Sequence, residues 1–247
     1  MDYFSAAFLI GLMQIIWIDL LLSGDNALVI AMACRSLSEK QRRLGIFLGA
    51  GTAVILRIIF AFIISELLMV PFLKLLGGFL LFWIAIKLLN NEDDSSHDVN
   101  AGTSLWGVVR TIALADAVMS LDNVVAIAAA AGGHKELFIF GLLLSIPLMI
   151  WGSSLILKLI QRFPVVIWAG AALLGWIAAE MIVGDQYILN LLGNSYYFTD
   201  TNGLHHPVAY LKYPIAFSGA FFVIVFELCK RKYVSKQNGL HKISNFS

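Results

Sequence analysis

Four aspartates stand inside runs of apolar residues, and they come in two matching sets. DLLLSGDNALVIA (19–31) carries Asp19, Asp25 and Asn26, and DAVMSLDNVVAIA (116–128) carries Asp116, Asp122 and Asn123. Aligned without gaps, six of thirteen positions are identical, Ser23 and Ser120 among them. A carboxylate at the centre of a membrane-spanning helix costs about 2.5–3.5 kcal/mol on insertion scales, so four cost on the order of 10 kcal/mol. They must face the inside of a bundle and meet a cation, a proton or a basic side chain there. Carboxylates, Asn carbonyls and Ser hydroxyls form an all-oxygen donor set, which suits Mg²⁺, Ca²⁺ or Mn²⁺ rather than Zn²⁺ or copper. The competing readings are polar glue between helices and a proton relay through the same aspartates.

Six residues of regular helix turn through about 600°, so Asp19 and Asp25 do not share a face of a straight helix. The Ser23-Gly24 step between them predicts a broken or unwound turn that redirects Asp25 and Asn26 and frees backbone carbonyls. Leu121 replaces Gly24 in the second copy, so the break there is weaker. Six residues also rise about 9 Å. If the copies run in opposite directions, Asp19 lies level with Asp122 and Asp25 with Asp116.

The elements that position these residues follow from composition. The chain has 247 residues, 60% hydrophobic and only 13% charged, with a mean hydropathy of +0.84. Soluble domains carry about 25% charged residues, so lipid must cover the apolar excess. Seven apolar segments reach spanning length: 6–32, 44–67, 70–89, 105–131, 136–160, 164–184 and 209–230. They are too long and continuous for barrel strands, which leaves helices. A second internal match lays PFLKLLGGFLLFWIAIKLL (71–89) on PVVIWAGAALLGWIAAEMI (164–182). Three spans per copy is an odd number, so the second copy runs upside down, as in many secondary transporters.

The expected fold is therefore an all-α polytopic membrane helix bundle of two inverted three-helix repeats plus a seventh helix. The first repeat is 1–89 and an acidic linker covers 90–104. The second repeat is 105–184, followed by an outer loop at 185–208, the seventh helix at 209–230 and a basic tail at 231–247, predicted to lose order after 233. Lys and Arg crowd three connections on one side, with Arg35, Lys40, Arg42 and Arg43 in the first. This asymmetry places the N-terminus outside and the C-terminus in the cytoplasm of a plasma-membrane protein. The N-terminus lacks the pattern of a cleavable signal. Cys34 and Cys229 then face the cytoplasm as free thiols.

Other charges fall within the spans. Arg57 lies mid-span and is placed to compensate the carboxylates when metal is absent. Lys87 and Glu180 occupy equivalent places in WIAIK and WIAAE. They either bridge across the pseudo-symmetry, or Lys87 reaches to the interface. The linker acids Glu92, Asp93, Asp94 and Asp98, with His97, are a minor candidate for metal sensing, and His205 and His206 read as solvated loop residues. A net charge of +1 gives no argument for a nucleic-acid partner. No HExxH or GxSxG occurs, so an enzyme is not expected.

DLLLSGDNALVIAMACRSL and ADAVMSLDNVVAIAAAAGG resemble the two signature segments of the TerC family of membrane proteins, grouped with the LysE-type exporters. The resemblance covers most of spans one to six. It implies a metal site at Asp19, Asp25, Asn26, Asp116, Asp122 and Asn123, and it implies manganese; the residues alone imply only a hard divalent cation. The expectation is a transporter exporting Mn²⁺, or Ca²⁺ or Mg²⁺, as substrate. Ser23, Ser120, Arg57, Lys87 and Glu180 are associated with transport, protons are a candidate counter-ion and no cofactor is permanently bound. The alternative is a non-transporting membrane scaffold in metal or tellurium stress resistance. The oligomeric state is left open. An amino-acid exporter is disfavoured, because the doubled carboxylates would repel a substrate carboxylate.

Overall fold

Inside a bilayer every backbone N–H and C=O must be satisfied within the protein, and long apolar runs do this as helices. The computed structural model describes residues 10, 12–13, 24–68, 70, 72–90, 104–130, 135–199 and 205–244. Six helices fall on the first six spans, the first of them only on the end of span one: α1 (Gly24–Cys34), α2 (Glu39–Leu68), α3 (Leu73–Asn90), α4 (Leu105–Ala130), α5 (Lys135–Arg162) and α6 (Val165–Val183). The short α7 (Gln186–Leu192), an antiparallel hairpin of β1 (Tyr197–Thr199) and β2 (His205–Pro207), and the long α8 (Ala209–Ser244) follow. Stretches within α2, α3, α5, α6 and α8 are long and apolar enough to cross a membrane. The 26-residue α4 carries Arg110, Asp116 and Asp122.

Basic residues finish the helices at one end of the bundle. Arg42 Nη2 donates to Arg35 O at 3.2 Å and to Leu37 O at 3.0 Å. Arg35 Nη2 donates to Leu88 O at 2.9 Å, so the ends of α1 and α3 are tied together through carbonyls that a helix terminus leaves open. At the other end Asp185 caps α7, accepting from Tyr187 N at 3.0 Å, and also takes Leu75 N of α3 at 3.2 Å.

The contacts between α1–α3 and α4–α6 follow an exchange rule. Exchanging α1, α2 and α3 for α4, α5 and α6 turns the α1–α5 contact into the α2–α4 contact and α1–α6 into α3–α4. It leaves the α3–α6, α2–α5 and α1–α4 contacts in place. Small residues allow the closest approaches. A side chain begun at Gly78 of α3 would stand 2.6 Å from Ala178 O of α6, and one at Gly175 would stand 2.6 Å from Gly219 O of α8. Small-residue interfaces of this kind let backbones pack where lipid supplies no hydrophobic drive between helices. Large apolar side chains such as Phe217, Phe221 and Phe222 of α8 are exposed, as a lipid-facing surface requires.

Two segments depart from expectation. α8 runs to Ser244 for 36 residues, through the stretch predicted to lose order. Its Lys, Arg and Gln are good helix formers, and Arg231 Nε bonds Glu227 Oε1 one turn back at 3.1 Å. Residues 185–199 and 205–208, expected as plain loop, hold α7 and the hairpin, whose elements are too short to show a period in sequence. His205 and His206 lie in β2; the His205 ring lies tilted 4.0 Å from that of Tyr197, and the backbone N–H and C=O of His205 are both bound by Gln186. The linker 91–103, with Glu92, Asp93, Asp94, His97 and Asp98, lies outside the described residues.

Placing Leu at Gly175 must force α6 from α8, at a cost of about 1–3 kcal/mol for overpacking. The Gly175→Leu protein is expected to melt several degrees below wild type in detergent, read by the loss of monodisperse protein with temperature.

Candidate functional site

Asp116, Ser120 and Asn123 are spaced i, i+4, i+7 on α4, so they lie along one face. All three are buried. Ser120 Oγ donates to Asp116 Oδ2 at 3.0 Å, and Arg57 Nη2, arriving from α2, donates to Asp116 Oδ1 at 2.9 Å. Both oxygens of this carboxylate are therefore occupied by side chains. The Arg57 and Asp116 side chains are 0% and 3% exposed. Arg57 is among the largest fully buried side chains.

α1 brings the other half. Asn26 is buried, and its backbone N–H donates to Asp25 Oδ1 at 2.8 Å. Asp25 is half-buried. Its carboxylate is attracted by the Arg57 guanidinium and repelled by the Asp116 carboxylate. Three ionisable groups from three helices thus share one electrostatic neighbourhood in mid-bundle. Like-charged carboxylates can be held this way because a guanidinium stands with them.

The structure brings Asp25, Asn26, Asp116, Ser120, Asn123 and Arg57 to this region through the packing of α1 and α2 on α4. Asp19 and Ser23 lie outside the described residues, so the expected break at Ser23-Gly24 falls at their edge. Asp122 lies in α4, and its side chain is outside what is described. Among the described residues, no three Asp, Glu, His or Cys side chains gather as a metal-holding group. The donor set within them is two carboxylates with Asn and Ser oxygens.

Lys87 and Glu180 do not meet. Lys87 Nζ donates to Thr111 Oγ1 at 3.2 Å and lies 4.8 Å above the Trp83 ring. Glu180 pairs with Lys212 of α8 and accepts from Trp176 Nε1 at 3.2 Å. Lys87 is near the last turn of α3, beside the start of α4, whereas Glu180 is near the end of α6, beside the start of α8. Those two places are opposite ends of the bundle, so a bridge between them is ruled out. Glu227 of α8 was missed by the sequence reading. It is fully buried and is held by Arg231, which packs 5.0 Å from the Trp168 ring. The signal was present as a Glu inside an apolar run with Arg four residues on, a favourable helical pair.

A helical bundle with several apolar spans and a charged cluster at its centre is a polytopic integral membrane protein. Residues 4–238 match the family model described as "Integral membrane protein TerC family", and the chain belongs to that family. It is 46% identical over 179 residues to the membrane protein YjbE of Bacillus subtilis (strain 168), covering 72% of this chain and 82% of that protein. It is 27% identical to the membrane protein YceF of the same organism, over 90% of this chain and 83% of the relative. It is 26% identical to the inner membrane protein YoaE of Escherichia coli (strain K12), over 93% of this chain but 45% of that longer protein. No solved structure matches the chain significantly.

Removing one partner of a buried ion pair typically costs about 3–5 kcal/mol, because it strands the other charge. Arg57→Met is expected to destabilise by that order, and the double variant Arg57→Met/Asp116→Leu to recover most of it. Thermal unfolding of the three proteins in detergent, run side by side, reads the difference.

Proposed function

We propose that this protein exports a divalent metal cation across the plasma membrane, with Mn²⁺ the first choice. The observation that carries the reading is the convergence of Asp25, Asp116 and Arg57 at the packing of α1, α2 and α4. Carboxylates in a low-dielectric interior bind a 2+ ion strongly, and Asn26, Asn123 and Ser120 add the neutral oxygens that hard cations accept. Asp19 and Asp122 complete the set by the internal match of the two segments. Manganese rather than calcium or magnesium rests on the family resemblance.

The exchange rule among helix contacts supports two inverted repeats with the site at their interface, the arrangement expected of alternating access. The end where Arg35, Arg42 and Arg162 gather is the cytoplasmic one on the charge rule. The cation then enters from that side and leaves outward, with protons as the candidate counter-ion. A rival reading draws on the same ion pair, since a buried Arg–Asp pair would also serve a scaffold that moves nothing.

Mn²⁺ flux into proteoliposomes separates the two. Wild type is expected to show saturable flux that Asp25→Asn and Asp122→Asn lose while remaining folded and inserted. Equal flux in all three would remove these aspartates from transport, and no flux in any, with folded protein, would favour the scaffold.

A further inference from the structure

The two oxygens of Asp116 are both taken, and the one facing α2 is taken by a positive charge. A hard divalent cation stands about 2.0–2.6 Å from each carboxylate oxygen that binds it. A cation on Oδ1 would therefore stand only a few ångströms from a guanidinium nitrogen that is 2.9 Å from that same oxygen. Two positive charges at such a separation repel strongly in a buried setting. Guanidinium and cation are thus alternatives at Asp116, and one must leave for the other to bind.

The competition is unequal in a way that depends on valence. Arg57 is anchored on α2, so its effective concentration at Asp116 is that of an intramolecular partner. A monovalent ion brings the same single charge, must shed water and has no tether, so it cannot displace the guanidinium. A divalent ion gains about twice the Coulomb attraction from each carboxylate and also reaches Asp25, which shares the same neighbourhood.

We propose that Arg57 sets the valence selectivity of the site, acting as a tethered monovalent cation that keeps Na⁺ and K⁺ off Asp116 and yields only to a divalent ion. The inference rests on the transport reading of Asp116 given above. Arg57 is a specificity-determining residue that works through Asp116 and makes no bond to the substrate.

The test is Mn²⁺ binding to the purified full-length chain by titration calorimetry, in NaCl and in N-methyl-D-glucamine chloride at equal ionic strength. The bulky organic cation controls for screening. Wild type and Arg57→Lys are expected to bind Mn²⁺ equally in the two salts. Arg57→Gln is expected to bind more tightly in the organic salt and to be weakened about tenfold by Na⁺, a change of about 1.4 kcal/mol. Arg57→Gln binding that ignores Na⁺, or wild-type binding as sensitive as the variant's, overturns the selectivity role and leaves the transport reading standing. Absence of Mn²⁺ binding by wild type in both salts overturns the transport reading, and this inference with it.

A second measurement needs no variant to fold. Wild type with isotope-labelled guanidino groups is compared by infrared difference spectroscopy with and without cation. Isotope-sensitive guanidinium bands on adding Mn²⁺, and none on adding Na⁺, are expected. No such band with Mn²⁺ bound overturns the displacement of Arg57.

Discussion

The Arg57–Asp116 ion pair is the constraint around which the centre of this bundle is arranged. A guanidinium with no exposed surface must be given a counter-charge and must be surrounded by protein. Both demands fix α2 against α4 at a chosen register, and this pair of helices is among the most extensively packed in the molecule. α1 then closes the third side, bringing Asp25 and Asn26 to the same level. Ser120 holds the remaining oxygen of Asp116, so the carboxylate is oriented from two sides. An apolar pair of similar volume would often be as stable or more so.

Around this centre, further polar contacts of the described residues work at the two ends. Arg35 and Arg42 close helix carbonyls at one end, and Asp185 and the Glu180–Lys212 pair work at the other. Between them the chain relies on small residues for close approach, as at Gly78 and Gly175. The membrane-embedded part is held by shape and a few charges, with lipid rather than water against its outer aromatic face.

Much of this was legible in the residues themselves. Helix existence followed from the length of the apolar runs, and the candidate site followed from doubled Asp and Asn in places where charge is expensive. Arg57 stood out for the same reason, as a mid-span base needing an acid. Which acid it meets did not follow, because that depends on the register of α2 against α4, a tertiary packing property with no local signature. Equivalence of Lys87 and Glu180 in the alignment does not bring them together, because the packing of α3 and α6 sets them at opposite ends of the bundle with different partners. Glu227 was overlooked since its partner Arg231 sits just past the apolar run and read as part of the tail. The hairpin at 197–207 and α7 are held by particular contacts, such as Asp185 on Tyr187 N and Gln186 on His205, that composition does not display.

The distance along the chain between Arg57 and its partner has a consequence for biosynthesis. The two residues are 59 positions apart, and a ribosome adds about 5–20 residues per second. For roughly 3–12 s, by that rate, α2 stands in or beside the membrane before the Asp116 carboxylate has been made. The first three helices carry Asp25, which attracts Arg57, but not Asp116. The bond that fixes the centre of the bundle can therefore form only after α4 has been made, and it ties the first half of the chain to the second.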